Sequence, residues 1–163
     1  MKIVSVALMA VVMLQAMPTF AAPTAESPLL GHWTLDVATL PMPAEARPKS
    51  VTLDFRDVAG GKLATHAEII DQSDNRLYSE STLSLDGTPG RASGTYWVDV
   101  LAAKMPAPNV LVMQLVYEGI PRSTRVFSVS ADGNVLTETE AYFKEDGTPI
   151  MRTAFFTRVP GQP

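Results

Sequence analysis

Side chains alternate between apolar and polar with a period of two, in runs separated by Asp-Gly and Gly-Gly turns roughly every ten to twelve residues. That pattern leaves the chain little choice but an all-β fold. Successive strand residues point to opposite faces, so each run can be read face by face. In WTLDV the apolar set is Trp33, Leu35 and Val37, with Thr34 and Asp36 opposite. In KSVTLDFRD it is Val51, Leu53 and Phe55, with Thr52, Asp54 and Arg56 opposite. The run 63–71 is less regular, and 77–85 places Leu77, Ser79, Ser81, Leu83 and Leu85 on one side. The run 93–102 mixes its faces, and 110–117 is apolar on nearly both, as a central strand would be. Runs at 123–131, 134–144 and 150–159 complete the pattern.

The connectors say how the runs join. Asp-Gly is a strong hairpin signal because glycine supplies the positive φ that tight turns need. It occurs at Asp86-Gly87, Asp132-Gly133 and Asp146-Gly147, with Gly60-Gly61 serving the same role earlier; the repeated DGTP at 86–89 and 146–149 reads as one turn chemistry used twice. A proline-rich connector, LPMPAEARPK at 40–49, separates the first two strands. Short hairpin connections imply an antiparallel meander, which hides its edges by closing on itself. An up-and-down barrel of about eight to nine strands is therefore expected. A two-sheet β-sandwich is the alternative, because alternation alone does not separate the two.

The N-terminus carries a different signal. Lys2 is followed by an apolar run from Ile3 to Leu14 and then by small residues around Thr19 and Ala21, the order of a secretory signal peptide. The run is shorter than the roughly 20 residues of a spanning helix, so cleavage is expected over anchoring. Residues 1–22 are thus expected to be removed, with 23–28 a short leader and 29–160 a single barrel domain. Losing Lys2 leaves 12 of the 13 basic residues against 17 acidic ones, a net charge of −5. A mildly acidic surface argues against nucleic acid as partner. With no cysteine, neither disulfides, thiolate nucleophiles nor a lipoprotein tether are possible, and a periplasmic or secreted protein without a membrane span is expected.

Chemistry is harder to find. His32 and His66 are the only histidines; His32 with Asp36, or His66 with Glu68, share faces at strand spacing. The face of His32 lies opposite Trp33 and Leu35, however, so it belongs to solvent and no metal site is expected. No G-x-S-x-G elbow and no phosphate-cradling glycine loop is present, so no cofactor is expected and a binding protein is favoured over an enzyme. If the barrel holds a ligand, Trp97, Met113, Tyr117, Phe127 and Phe156 are the apolar residues expected to line the pocket, with Ser79 and Ser81 as its polar patch.

Gly31-His32-Trp33 on the first strand resembles the Gly-x-Trp signature of lipocalins. More closely, LLGHWTLDV followed by LPMPAEARPKSVTLDF, with the hairpins SADGNVLTETE and KEDGTPIMRTAFFTRV, resembles the small bacterial lipocalin-like domains. The resemblance implies a calyx whose first-strand tryptophan, Trp33, packs across the closed end beside Gly31 and against a late basic residue, Arg158 or Arg152. It implies a carrier or sensor of an apolar or amphipathic small molecule. An envelope protein-interaction module and a cofactor-free isomerase or cyclase remain the alternatives. An interior cavity would favour carrier or isomerase, and a filled interior with an apolar outer patch the interaction module.

Overall fold

A computed structural model describes residues 26–161. The expected signal peptide, 1–22, and the start of the 23–28 leader lie outside the described residues. Ten strands follow in order: β1 (Gly31–Leu35), β2 (Ser50–Val58), β3 (Lys62–Ile70), β4 (Arg76–Ser84), β5 (Gly90–Gly94), β6 (Val100–Ala107), β7 (Val110–Tyr117), β8 (Ile120–Val129), β9 (Val135–Phe143) and β10 (Pro149–Arg158). Each pairs antiparallel with its neighbour in sequence, and β1 pairs with both β2 and β10. The sheet is therefore a closed up-and-down barrel, not a sandwich. Among the described residues no helix is long and apolar enough to cross a membrane.

The strand count exceeds the expected eight to nine because the run 93–102 is not one strand. It contains the end of β5, a loop at 95–99 and the start of β6. Gly94 makes the break: at φ +133° its backbone lies so close to Tyr78 that an added Cβ would fall 2.1 Å from the Tyr78 carbonyl oxygen. That carbonyl accepts hydrogen bonds from both the Thr95 and Tyr96 amides at 2.9 Å, which turns the chain out of the ladder. The mixed faces of this run are those of a loop.

A smaller correction concerns β1. Asp36 accepts a hydrogen bond from the Ala38 amide at 3.1 Å and caps a single 3₁₀ turn, Val37–Thr39, so Val37 leaves the sheet that Trp33 and Leu35 share. A second 3₁₀ turn, Ala44–Ala46, lies in the proline-rich connector.

The barrel has two unlike ends. The β2–β3 and β8–β9 turns and the start of β1 mark one; the β7–β8 and β9–β10 turns and the connector before β2 mark the other. Trp33, Leu63, Leu83, Leu111, Leu136 and Phe156 are all fully buried toward the first end. Burial of each large apolar side chain contributes about 1.5–3 kcal/mol, so this end is the stable plug of the fold.

Arg158 seals the plug. It faces Trp33 across the β1–β10 pair, with its guanidinium carbon 4.1 Å from the indole centroid. Its Nε donates to the Gly133 carbonyl and its Nη1 to that of Leu30, each at 2.7 Å, and its Nη2 donates to Pro28. The Trp33 Nε1 donates to the Leu29 carbonyl at 2.9 Å. Gly31 leaves room for the clamp, since a Cβ there would lie 2.6 Å from Arg158 Nη1. Arg152 lies elsewhere, with its guanidinium carbon 5.1 Å from the Tyr142 ring centroid.

Candidate functional site

Inward side chains change character along the barrel axis. Above the plug, Phe55, Leu101, Met113, Phe127, Ser79 and Tyr96 border a chamber of about 50 Å³. Phe55 and Phe127 meet edge to face with centroids 5.6 Å apart, the geometry their ring quadrupoles favour. Such a chamber holds a few waters; a dry cavity that takes up benzene is about 150 Å³. The interior alone does not engulf a ligand.

Beyond the chamber the barrel opens into a mouth of about 280 Å³, bordered by Trp97, Arg122, Ser123, Glu140, Tyr142 and Arg152. Tyr96, Leu115 and Arg125 border both spaces, so the two adjoin. Their combined size lies near the lower end of the roughly 300–1,000 Å³ usual for small-molecule pockets.

Arg125 forms the partition. Strand alternation places it inward between Ser123 and Phe127, and the β8–β9 register sets it directly opposite Glu140. Its Nη2 lies 3.2 Å from Glu140 Oε1 and donates to the Tyr96 hydroxyl at 3.0 Å; its Nη1 lies 3.1 Å from Glu138 Oε1. The three charged side chains are 19%, 27% and 11% exposed in the order Arg125, Glu140, Glu138, so the cluster is largely screened from water.

The electrostatics follow from that burial. Burial by itself would lower the Arg125 pKa, but Glu138, Tyr96 and Glu140 outweigh it and hold the guanidinium above its ordinary value. For Glu138 burial dominates: it raises the carboxyl above its ordinary range against the opposing pull of Arg125, and Glu140 adds to the rise. The 3.1 Å contact is a charge pair lacking hydrogen-bond alignment, because Glu138 Oε1 is buried without a hydrogen-bond partner among the described residues.

The residues expected to line a pocket divide between several places. Met113, Phe127 and Ser79 border the chamber, and Trp97 borders the mouth while 57% exposed. Phe156 is buried in the plug, and half-buried Tyr117 at the end of β7 borders neither space. Ser81 hydrogen-bonds Thr65 Oγ1 at 2.7 Å and borders an open groove on the outer surface. The chain's mouth arginines, its two buried-side glutamates and Tyr96 are the residues that alternation missed. For Arg125, Glu138 and Glu140 the signal was parity: Ser123, Arg125 and Phe127 share one face of β8, and Leu136, Glu138 and Glu140 one face of β9.

His32, Asp54, His66 and Glu80 stand side by side across β1–β4 on the outer face. His32 Nδ1 lies 3.0 Å from Asp54 Oδ1, and His66 stands between two carboxylates, its Nδ1 3.0 Å from Glu80 Oε1 and its Nε2 3.9 Å from Glu68 Oε2. Among the described residues no group of three or more His, Cys, Asp or Glu could hold a metal ion. No protein-family model matches the chain, and no curated protein is significantly similar to it.

Proposed function

We propose that the chain is an exported, lipocalin-like barrel that binds a small amphipathic molecule at its open end without transforming it. The observation that carries the reading is that the apolar chamber and the polar, aromatic mouth adjoin, sharing Tyr96, Leu115 and Arg125. An amphipath matches such a gradient. Its apolar end replaces water in the chamber, while its polar end stays among the arginines and tyrosines of the mouth. In the partition both carboxylates, Glu138 and Glu140, face Arg125 as charge partners, and Arg125 also donates to the Tyr96 hydroxyl.

The test is a screen of small amphipaths on the purified protein by native mass spectrometry and calorimetry. Binding is expected with a negative heat-capacity change, and Trp97 emission should respond. Trp97→Phe should abolish that optical response but not the heat signal. Absence of any binding across the panel refutes the proposal, and turnover of a bound compound replaces it with the isomerase reading.

A second reading rests on a separate observation. Opposite the charged inner faces of β8–β10, the outer faces carry Val126, Val135, Phe143, Met151 and Phe155, which are 36%, 38%, 72%, 72% and 45% exposed, with threonines between them and no formal charge. A broad exposed apolar patch favours an interaction module. For a chain of net charge −4, an uncharged face is also where a second copy meets least repulsion. Sedimentation of the wild type and of Phe155→Glu separates this reading: self-association lost in the variant supports it, and a monomeric wild type opposes it.

A further inference from the structure

We propose that the mouth selects an aromatic carboxylate, its carboxylate held between Arg122 and Arg152 and its ring stacked on Trp97. The inference deepens the binding reading above and rests on it.

The first observation is a bulge. On the β7–β8 ladder Leu115 opposes Ser123, but Val116 opposes Pro121, so the register passes over Arg122. Pro121 has no amide hydrogen to give the ladder, which is why the slip falls here. A bulge re-aims the side chain it leaves unpaired. Arg122 accordingly borders the mouth.

The second observation is how positive charge is distributed there. Arg125 is already matched by Glu138 and Glu140. Arg122 and Arg152 also border the mouth, and among the described residues neither is in an ion pair or a side-chain hydrogen bond. Arg152 is positioned by stacking on Tyr142, with its guanidinium carbon 5.1 Å from the ring centroid, and stands opposite Glu140 on the β9–β10 ladder. Two planar guanidiniums at one opening suit the two oxygens of a carboxylate, for which arginine is the geometric match and lysine is not.

The third observation is aromatic. Trp97 is 57% exposed beside the mouth, tilted 36° to Tyr96 at a centroid distance of 6.2 Å. The mouth thus offers the exposed Trp97 ring to a flat ligand, while Tyr142, which also borders it, carries Arg152 on its ring. Its volume of about 280 Å³ suits a ring acid.

The experiment compares three nearly isosteric probes on the wild-type protein by calorimetry: 2-naphthoate, 2-naphthamide and 2-naphthamidine. They differ in charge and share the ring. Naphthoate is expected to bind about ten- to a hundredfold more tightly than the amide, the range for a hydrogen bond gaining a charged partner. Its affinity should fall with added salt. The double variant Arg122→Gln/Arg152→Gln should erase the preference, bringing naphthoate to the affinity that the amide shows on the same variant, with circular dichroism reporting its fold. Equal binding of naphthoate and amide overturns the inference but leaves the binding reading standing. Preference for the amidine overturns it too, with Glu140 then the recognising group. Failure of all three to bind overturns the inference, while the binding reading stands or falls on the amphipath panel.

Discussion

Removing the Arg158 side chain is the most informative perturbation of the fold, because one residue ties three segments to Trp33. Arg158→Ala deletes hydrogen bonds to the carbonyls of Pro28, Leu30 and Gly133 and the contact over the indole. Hydrogen bonds from a charged donor contribute about 1.5–3 kcal/mol each, but these carbonyls are only partly buried and water replaces the lost donor, so about 1 kcal/mol each is the expected cost. Stacking on the indole adds about 1 kcal/mol. The expected loss is about 4 kcal/mol, measured as a fall in the urea midpoint at unchanged slope. For a domain of this size that lowers Tm by about 10–15 °C. Arg158→Lys keeps the charge but not the fork, and should lose about half as much. Trp33→Leu combined with Arg158→Ala completes a double-mutant cycle, with an expected coupling of about 1 kcal/mol. Additive effects would show that the stacking contributes nothing. A loss below about 1 kcal/mol for Arg158→Ala would refute the clamp itself.

Other substitutions test other parts of the structure. Trp33→Ala should cost about 3–5 kcal/mol in the same urea assay, as truncation of a buried aromatic does. Gly94→Ala should destabilise by more than about 2 kcal/mol, since it forces both a positive φ and a Cβ against the Tyr78 carbonyl; a wild-type melting curve would contradict that geometry. Glu138 has a folded pKa raised above its ordinary value of 4.5, so the folded chain holds this proton more tightly than the unfolded chain. Its contribution is most favourable below pH 4.5 and declines as pH rises through the folded pKa, so Glu138→Gln should gain on wild type between pH 4.5 and pH 7. Denaturation curves with a constant difference across that window would refute the assignment.

Much of the barrel was legible because alternation and Asp-Gly turns are local signals. Trp33, Leu53, Phe55 and Leu83 are buried where their parity placed them. Two things were not local. The break at Gly94 is caused by Tyr78, a residue on another strand, and within 93–102 only the glycine itself and the mixed faces mark it. Depth along the axis depends on the stagger between strands, which no single strand encodes. Parity turns Met113 and Phe156 alike toward the interior, yet one borders the chamber and the other fills the plug. The charged partition was hidden for a further reason. Thr137 and Thr139 on β9 face outward while Glu138 and Glu140 face inward, so both faces read as polar and the usual rule of charge outside inverts.

Closure between β1 and β10 also orders events in time. The bonds from Arg158 to Pro28 and Leu30 span 130 and 128 residues, nearly the whole barrel. During synthesis β1 emerges first and the second strand it pairs with emerges last, so an incomplete chain is an open sheet whose β1 edge has no partner of its own. Every such intermediate offers that edge to other chains, and the hazard lasts until the last ten or so strand residues arrive. A molecule cut short within β10 would keep its plug residues on β3, β4, β7 and β9 but lack the Arg158 latch. The barrel's integrity therefore depends on its final strand, and partial digestion at the C-terminus should convert it into an aggregating sheet instead of a slightly smaller barrel.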